Sequence, residues 1–184
     1  MKLQLIEPKK QNYYPDFTLM RDKKDKNKIA IDVKTTYKEK GQTRFKYTLG
    51  SYTSYIRPEK ERKNIVFPYS EYGEHWIIGF VYMRMESRKD TEGRTYSFDT
   101  LRQIPVPFDG VEVFIQEKWR IARDKSGSGN TTNIGSINGA IEDFREGNGV
   151  FESELEFLEY WRGYKRTAEE RQSSYSNIQE FRGR

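Results

Sequence analysis

Residues 17–37 constrain the fold more than any other part of this chain. Two apolar segments, "FTLM" and "KIAIDVKTTY", flank the lysine-rich "RDKKDKN". Strand-forming segments around a short, charged connection predict a β-hairpin with a solvated tip. Side chains alternate across a strand, so Ile29, Ile31 and Val33 share one face, and Ala30, Asp32 and Lys34 the other. A carboxylate and an ammonium thus stand side by side on an otherwise apolar strand. Asp16 opens the neighbouring strand, directly after Pro15. A proline at a strand start removes no ladder donor. Pairing of the hairpin then brings Asp16 close to Asp32.

Two close carboxylates repel each other unless a cation lies between them or one takes up a proton. A hard divalent cation prefers oxygen, and Mg²⁺ is usually held by one or two carboxylates together with substrate phosphate oxygens. Such an ion acidifies a bound water and neutralises charge growing on a phosphate. Lys34 adds a fixed positive charge at the same place. The bland alternative is strong in a chain that is 33% charged. Glu7-Pro8-Lys9, Asp22-Lys23-Lys24 and Glu61-Arg62-Lys63 are also acid-x-Lys triplets, and most such triplets are solvated surface. Asp32-Val33-Lys34 differs in lying within an apolar strand, behind a Pro-Asp at hairpin distance, in a basic segment. Residues 9–40 hold ten Lys or Arg against five Asp or Glu, an excess equal to the +5 of the whole chain. That charge fits a hairpin tip in water, or a surface that meets phosphate with salt-dependent affinity.

The rest of the chain reads as one α/β layer domain of 184 residues. "KLQLIE" and "VEVFIQEKWRIA" alternate as strands, and "HWIIGFVYM" is apolar throughout, as in a central strand covered on both faces. "TLGSYTSYIR" suits helix or strand. "KSGSGNTTNIGSING" is a Gly, Ser and Asn-rich loop. "VFESELEFLEYWRGYKR" reads as a helix, with Ser153 as N-cap, Glu156 as capping-box partner and Leu155, Leu158 and Trp161 at helical spacing. The tail from Thr167 is polar, part helix and part loose. With no cysteine, disulfides, thiolate metal sites and cysteine nucleophiles are excluded. No apolar run reaches a membrane span and no signal peptide opens the chain, which suits a cytoplasmic protein. His75, the single histidine, reads as structural or as a strand-end surface residue, and Trp76, Trp119 and Trp161 as core.

Pro15-Asp16 followed by Asp32-Val33-Lys34 resembles the PD-(D/E)xK nuclease motif. Together with "QNYYPDFTL", "KIAIDVKTTY", "GSGNTTNIGSI" and "EFLEYWRGY", in this order and spacing, the chain resembles the EcoRV family of type II restriction endonucleases. The likeness runs from about Ile6 to the C-terminal region. It implies a restriction-endonuclease-like fold, a central mixed β-sheet flanked by helices, in a single domain over 1–184. Residues 120–184 would carry a recognition loop and the C-terminal helical part. It also implies a homodimer that cuts double-stranded DNA within a short, GATATC-like palindrome and uses Mg²⁺, for which Mn²⁺ substitutes. By motif position, Asp16, Asp32 and Lys34 would be catalytic. Asp16, Asp32 and the Val33 carbonyl would be metal ligands.

The resemblance makes "GSGNTTN" the major-groove reader, with Gly127, Ser128, Gly129, Asn130 and Thr131 on the DNA. The chemistry is suitable: glycines let backbone approach base edges, Asn bonds adenine through two contacts, and a Thr methyl packs on thymine. An ordinary flexible loop is the competing reading. Gln11 and Asn12 match a second loop, near the minor groove, that leads into Asp16. A cognate methyltransferase would belong to the same system. Members of the family begin with a helical segment ahead of the part matching "LIEPKKQN". The chain therefore reads as a fragment or as a form without that segment. Two other functions stay open: a structure-specific nuclease of the same superfamily, and an inactive DNA-binding remnant.

Overall fold

The computed structural model describes residues 2–57, 64–85, 93–104, 106–127 and 132–184. The expected hairpin forms from β2 (Phe17–Met20) and β3 (Lys28–Lys38), antiparallel, with Phe17 opposite Ile31 and Leu19 opposite Ile29. A short first strand, β1 (Gln4–Ile6), adds to β2. On its other side β3 runs parallel to β5 (Tyr72–Arg84), which pairs antiparallel with β6 (Phe108–Glu117). The result is a five-stranded mixed sheet in the order β1-β2-β3-β5-β6.

A second sheet of three strands is ordered β4-β8-β7, from β4 (Thr48–Ser51), β7 (Ala122–Ser126) and β8 (Asn133–Ser136). "TLGSYTSYIR" is therefore strand and then helix: β4 runs straight into α1 (Tyr52–Tyr55), with Ser51 as the N-cap. "VEVFIQEKWRIA" is not one strand. It breaks at a 3₁₀ turn, Lys118–Ile121, which passes the chain from the large sheet to the small one. Part of the loop after Lys125 also becomes strand, as β8. Four short helices complete the described fold: α2 (Ile141–Glu146), α3 (Glu154–Gly163), α4 (Ala168–Gln172) and α5 (Ile178–Arg182).

Ser153 caps α3 as expected, its hydroxyl accepting from the Glu156 amide at 3.1 Å. The capping-box return does not form, because the Glu156 carboxylate accepts from the Glu152 amide and pairs with Arg182. The buried stripe of α3 is Phe157, Tyr160 and Trp161, while Leu155 is 62% exposed. Aromatic clusters fill much of the core. Tyr47, Phe114 and Phe144 pack together, and Tyr160, Trp161, Tyr164 and Tyr175 form a second group. Of the tryptophans, Trp161 is buried, while Trp76 and Trp119 are half-buried.

β5 is not covered on both faces. His75, Ile77, Gly79 and Val81 are inside, whereas Trp76, Ile78 and Phe80 are half-exposed. The same asymmetry runs through β3, where Lys28, Ala30 and Asp32 are buried and Ile29, Ile31 and Val33 are half-exposed. The face of β3 that carries Lys28 and Asp32 is thus the inward one. Gly79 permits this packing: a Cβ placed there would lie 2.1 Å from the Phe114 ring.

Candidate active site

Asp16, Asp32 and Lys34 come together at the point where β2 begins beside β3. The Asp16 carboxylate accepts the Val33 amide hydrogen at 2.7 Å. β2 starts only at Phe17, so this side chain takes the place of the missing strand partner and ties Asp16 to the Asp32-Val33 backbone. Tyr14 fixes the approach. Its amide donates to the Asn64 carbonyl at 2.8 Å, its carbonyl accepts from Val66 at 2.9 Å, and Pro15 is buried behind it.

Asp32 is 4% exposed. The Lys34 ammonium lies 2.7 Å from its Oδ2, yet off the line of a hydrogen bond, so charge holds the pair and Oδ2 keeps no aligned donor. Burial pushes the Asp32 carboxyl up. The Lys34 ammonium, and then that of Lys118, pull it back, and the adjacent Asp16 carboxyl pushes it up again. The net direction is upward. Lys34 itself keeps a quarter of its side chain in solvent.

The donor set fits a hard divalent ion. It consists of two adjacent carboxylates, one of them buried with an oxygen that has no aligned donor, beside a fixed ammonium. Among the described residues, no group of three or more His, Cys, Asp or Glu could hold a metal by itself. Asp16 and Asp32 are the side chains that would hold an ion here, with water and substrate oxygens completing its shell. Val33 enters the site through its backbone, whose N–H is already committed to Asp16.

A cleft of about 670 Å³ leads from Lys34 along Thr35, Thr36 and Tyr37, past Arg44 and Lys46, to Arg123 and Gly127. It runs from Lys34, which borders the carboxylates, to the start of the Gly-rich loop. Gly127 donates to the Asn133 carbonyl at 2.7 Å, closing the base of that loop. Ser128, Gly129, Asn130 and Thr131 lie outside the described residues. Gln11 and Asn12 are exposed in a turn ahead of Tyr14. In the C-terminal tail, Arg182 pairs with Glu152 and Glu156, and the Arg184 guanidinium lies over the Tyr175 ring.

Sequence reasoning missed what lies behind Asp32. Tyr14, Tyr55, Tyr69, His75 and Lys118 line the inner side of the site. Tyr14 stacks on Tyr55 at 4.7 Å and hydrogen-bonds His75 Nδ1 at 2.7 Å. His75 is structural, buried within this cluster rather than at a strand end. The signal for Lys118 was present in the alternation of β6. Phe114 and Gln116 point inward, and Lys118 is the next residue on that face.

A family model described as restriction endonuclease EcoRV matches residues 1–183. The type II restriction enzyme EcoRV of Escherichia coli is 54% identical over 176 residues, which cover 96% of this chain and 71% of that protein. No helix among the described residues is long and apolar enough to cross a membrane.

Proposed function

This chain belongs to the restriction endonuclease EcoRV family, and from that premise we propose how it acts as a type II restriction endonuclease. It hydrolyses phosphodiester bonds of double-stranded DNA at a short palindrome, GATATC-like in sequence, as a cytoplasmic homodimer. A two-fold protein matches a two-fold site, each copy presenting one centre to one strand. The observation that carries the reading is the Asp32–Lys34 contact of 2.7 Å with Asp16 anchored on Val33, at the end of a basic cleft.

Asp16 and Asp32 would hold Mg²⁺, with Mn²⁺ as a substitute, and the ion when bound would supply Lewis acidity and an acidified water. The chain's own residues do the rest. Lys34 sets its ammonium next to Asp32 and stabilises negative charge on the phosphate and on the attacking oxygen. Arg44, Lys46 and Arg123 draw the backbone into the cleft. Gly127 to Thr131 read base edges, and Gln11 and Asn12 sense the opposite groove next to Asp16. A methyltransferase of the same specificity protects host DNA.

Digestion of DNA of known sequence in Mg²⁺, with the ends mapped, tests this directly. Discrete fragments ending at one repeated site are expected. Asp32→Ala should lose cleavage by at least about a hundredfold while still binding DNA. Robust cleavage by that variant would remove Asp32 from the centre. A monomer on size-exclusion chromatography that cuts nothing in Mg²⁺ or Mn²⁺ would leave only DNA binding.

A further inference from the structure

Lys118 is 1% exposed, and its Nζ has no hydrogen-bond acceptor among the described residues. It enters the interior from the 3₁₀ turn after β6 and lies over two rings, 4.9 Å from the centre of Tyr14 and 5.8 Å from that of Tyr69. Gly50 lies beside it, and its φ of +88° rather than any crowding by Nζ is what calls for glycine there. Three charges face it: Asp32 and Glu154, which favour the ammonium, and Lys34, which opposes it.

A buried ammonium without acceptors is costly, and an apolar side chain of the same shape is usually at least as stable. Fold stability therefore does not explain Lys118. Its surroundings do. The Tyr14 ring beneath it carries straight into Pro15-Asp16, and Asp32 feels its charge directly. Lys34 and Lys118 offset the charge of the two carboxylates, with Glu154 adding a further acidic group on the Lys118 side.

We propose that Lys118 is a positioning residue of the metal centre: a standing internal counter-ion that holds the Asp16–Asp32 pair together in the metal-free protein and keeps metal affinity low until a DNA phosphate arrives. The proposal rests on the reading of Asp16 and Asp32 as ligands. A divalent ion entering a pocket whose carboxylates are already offset by two ammonium groups brings charge that they no longer fully balance. The phosphate then restores part of the balance, so ion and substrate favour each other's binding. Burial holds the ammonium down to about 8, so at pH 7 it is mainly charged.

The test is Mn²⁺ binding by DNA-free protein at pH 7, followed by calorimetry, for wild type, Asp32→Ala, Lys118→Met and Lys118→Gln. Thermal melts establish that each is folded. Both lysine variants should fold and bind Mn²⁺ tighter by roughly tenfold or more. That is a floor: removing a unit charge about 8 Å from a divalent ion at an effective dielectric of about 20 corresponds to roughly a thousandfold before solvent and salt screen it. Unchanged or weaker binding in the folded lysine variants would overturn the proposal while leaving the ligands in place. Failure of both variants to fold would also overturn it, by making the lysine structural. Wild-type affinity in Asp32→Ala would defeat the ligand reading itself, and the proposal with it.

Discussion

Gly79→Ala should damage both stability and catalysis through one methyl group. Gly79 faces Phe114 across β5 and β6, and a Cβ there would stand 2.1 Å from Phe114 Cε1 and 2.3 Å from Cζ. Carbon atoms pack at about 3.5–4.0 Å, so the ring must retreat by more than about 1 Å. It has nowhere to go. Phe114 is 3% exposed and wedged between Tyr47, at 5.7 Å, and Phe144, at 5.0 Å. Overpacking of this kind costs about 1–3 kcal/mol, and weakening the two aromatic contacts adds about 0.5–1.5 kcal/mol each. Taking about 3 kcal/mol together, a chain of this size should melt about 6–12 °C lower. Gly79 is also the β5 partner of Lys34, so displacement of this strand should slow cleavage. The assay is a thermal melt of Gly79→Ala, Phe114→Leu and the double variant. Relief of the clash by the smaller side chain should make the double variant more stable than the sum of the single losses, by about 1 kcal/mol or more. An unshifted melt for Gly79→Ala, or strict additivity, would refute the argument.

Two further outcomes can be measured. His75 is buried, and burial, followed by the Lys118 ammonium, holds its pKa well below 6.5. The folded chain therefore binds fewer protons than the unfolded chain as pH falls below 6.5, and stability should drop there by up to about 1.4 kcal/mol per pH unit. His75→Phe should flatten that decline; urea midpoints at several pH values that run parallel for the two proteins would contradict it. Lys46 is exposed along the cleft. Lys46→Ala should lower the slope of log affinity against log salt by about 0.9, and an identical slope would take Lys46 off the phosphate path.

Period-two alternation is local, and much of the candidate site was legible because of it. Asp32 and Lys34 share a face for the same reason that Ile29 and Ile31 do, and the charged "RDKKDKN" between two apolar runs closes the hairpin that brings Asp16 alongside. The family likeness went further, to expected roles for those side chains and to an expected reading loop whose residues 128–131 lie outside the described structure. Ser153 was readable as a cap because capping involves only neighbours in sequence.

What the sequence by itself determined, then, is which residues stand together on one strand and which strand lies next to it, since backbone geometry sets both over a few residues. Which face of that strand turns inward is different. Apolarity alone would bury Ile29, Ile31 and Val33, yet the structure buries Lys28, Ala30 and Asp32. That choice belongs to closure of the two sheets. The 3₁₀ turn at Lys118 and the fit of Gly79 to Phe114 join segments far apart in the chain. Packing density and the compensation of buried charge are sums over such distant groups, so only the tertiary structure decided them.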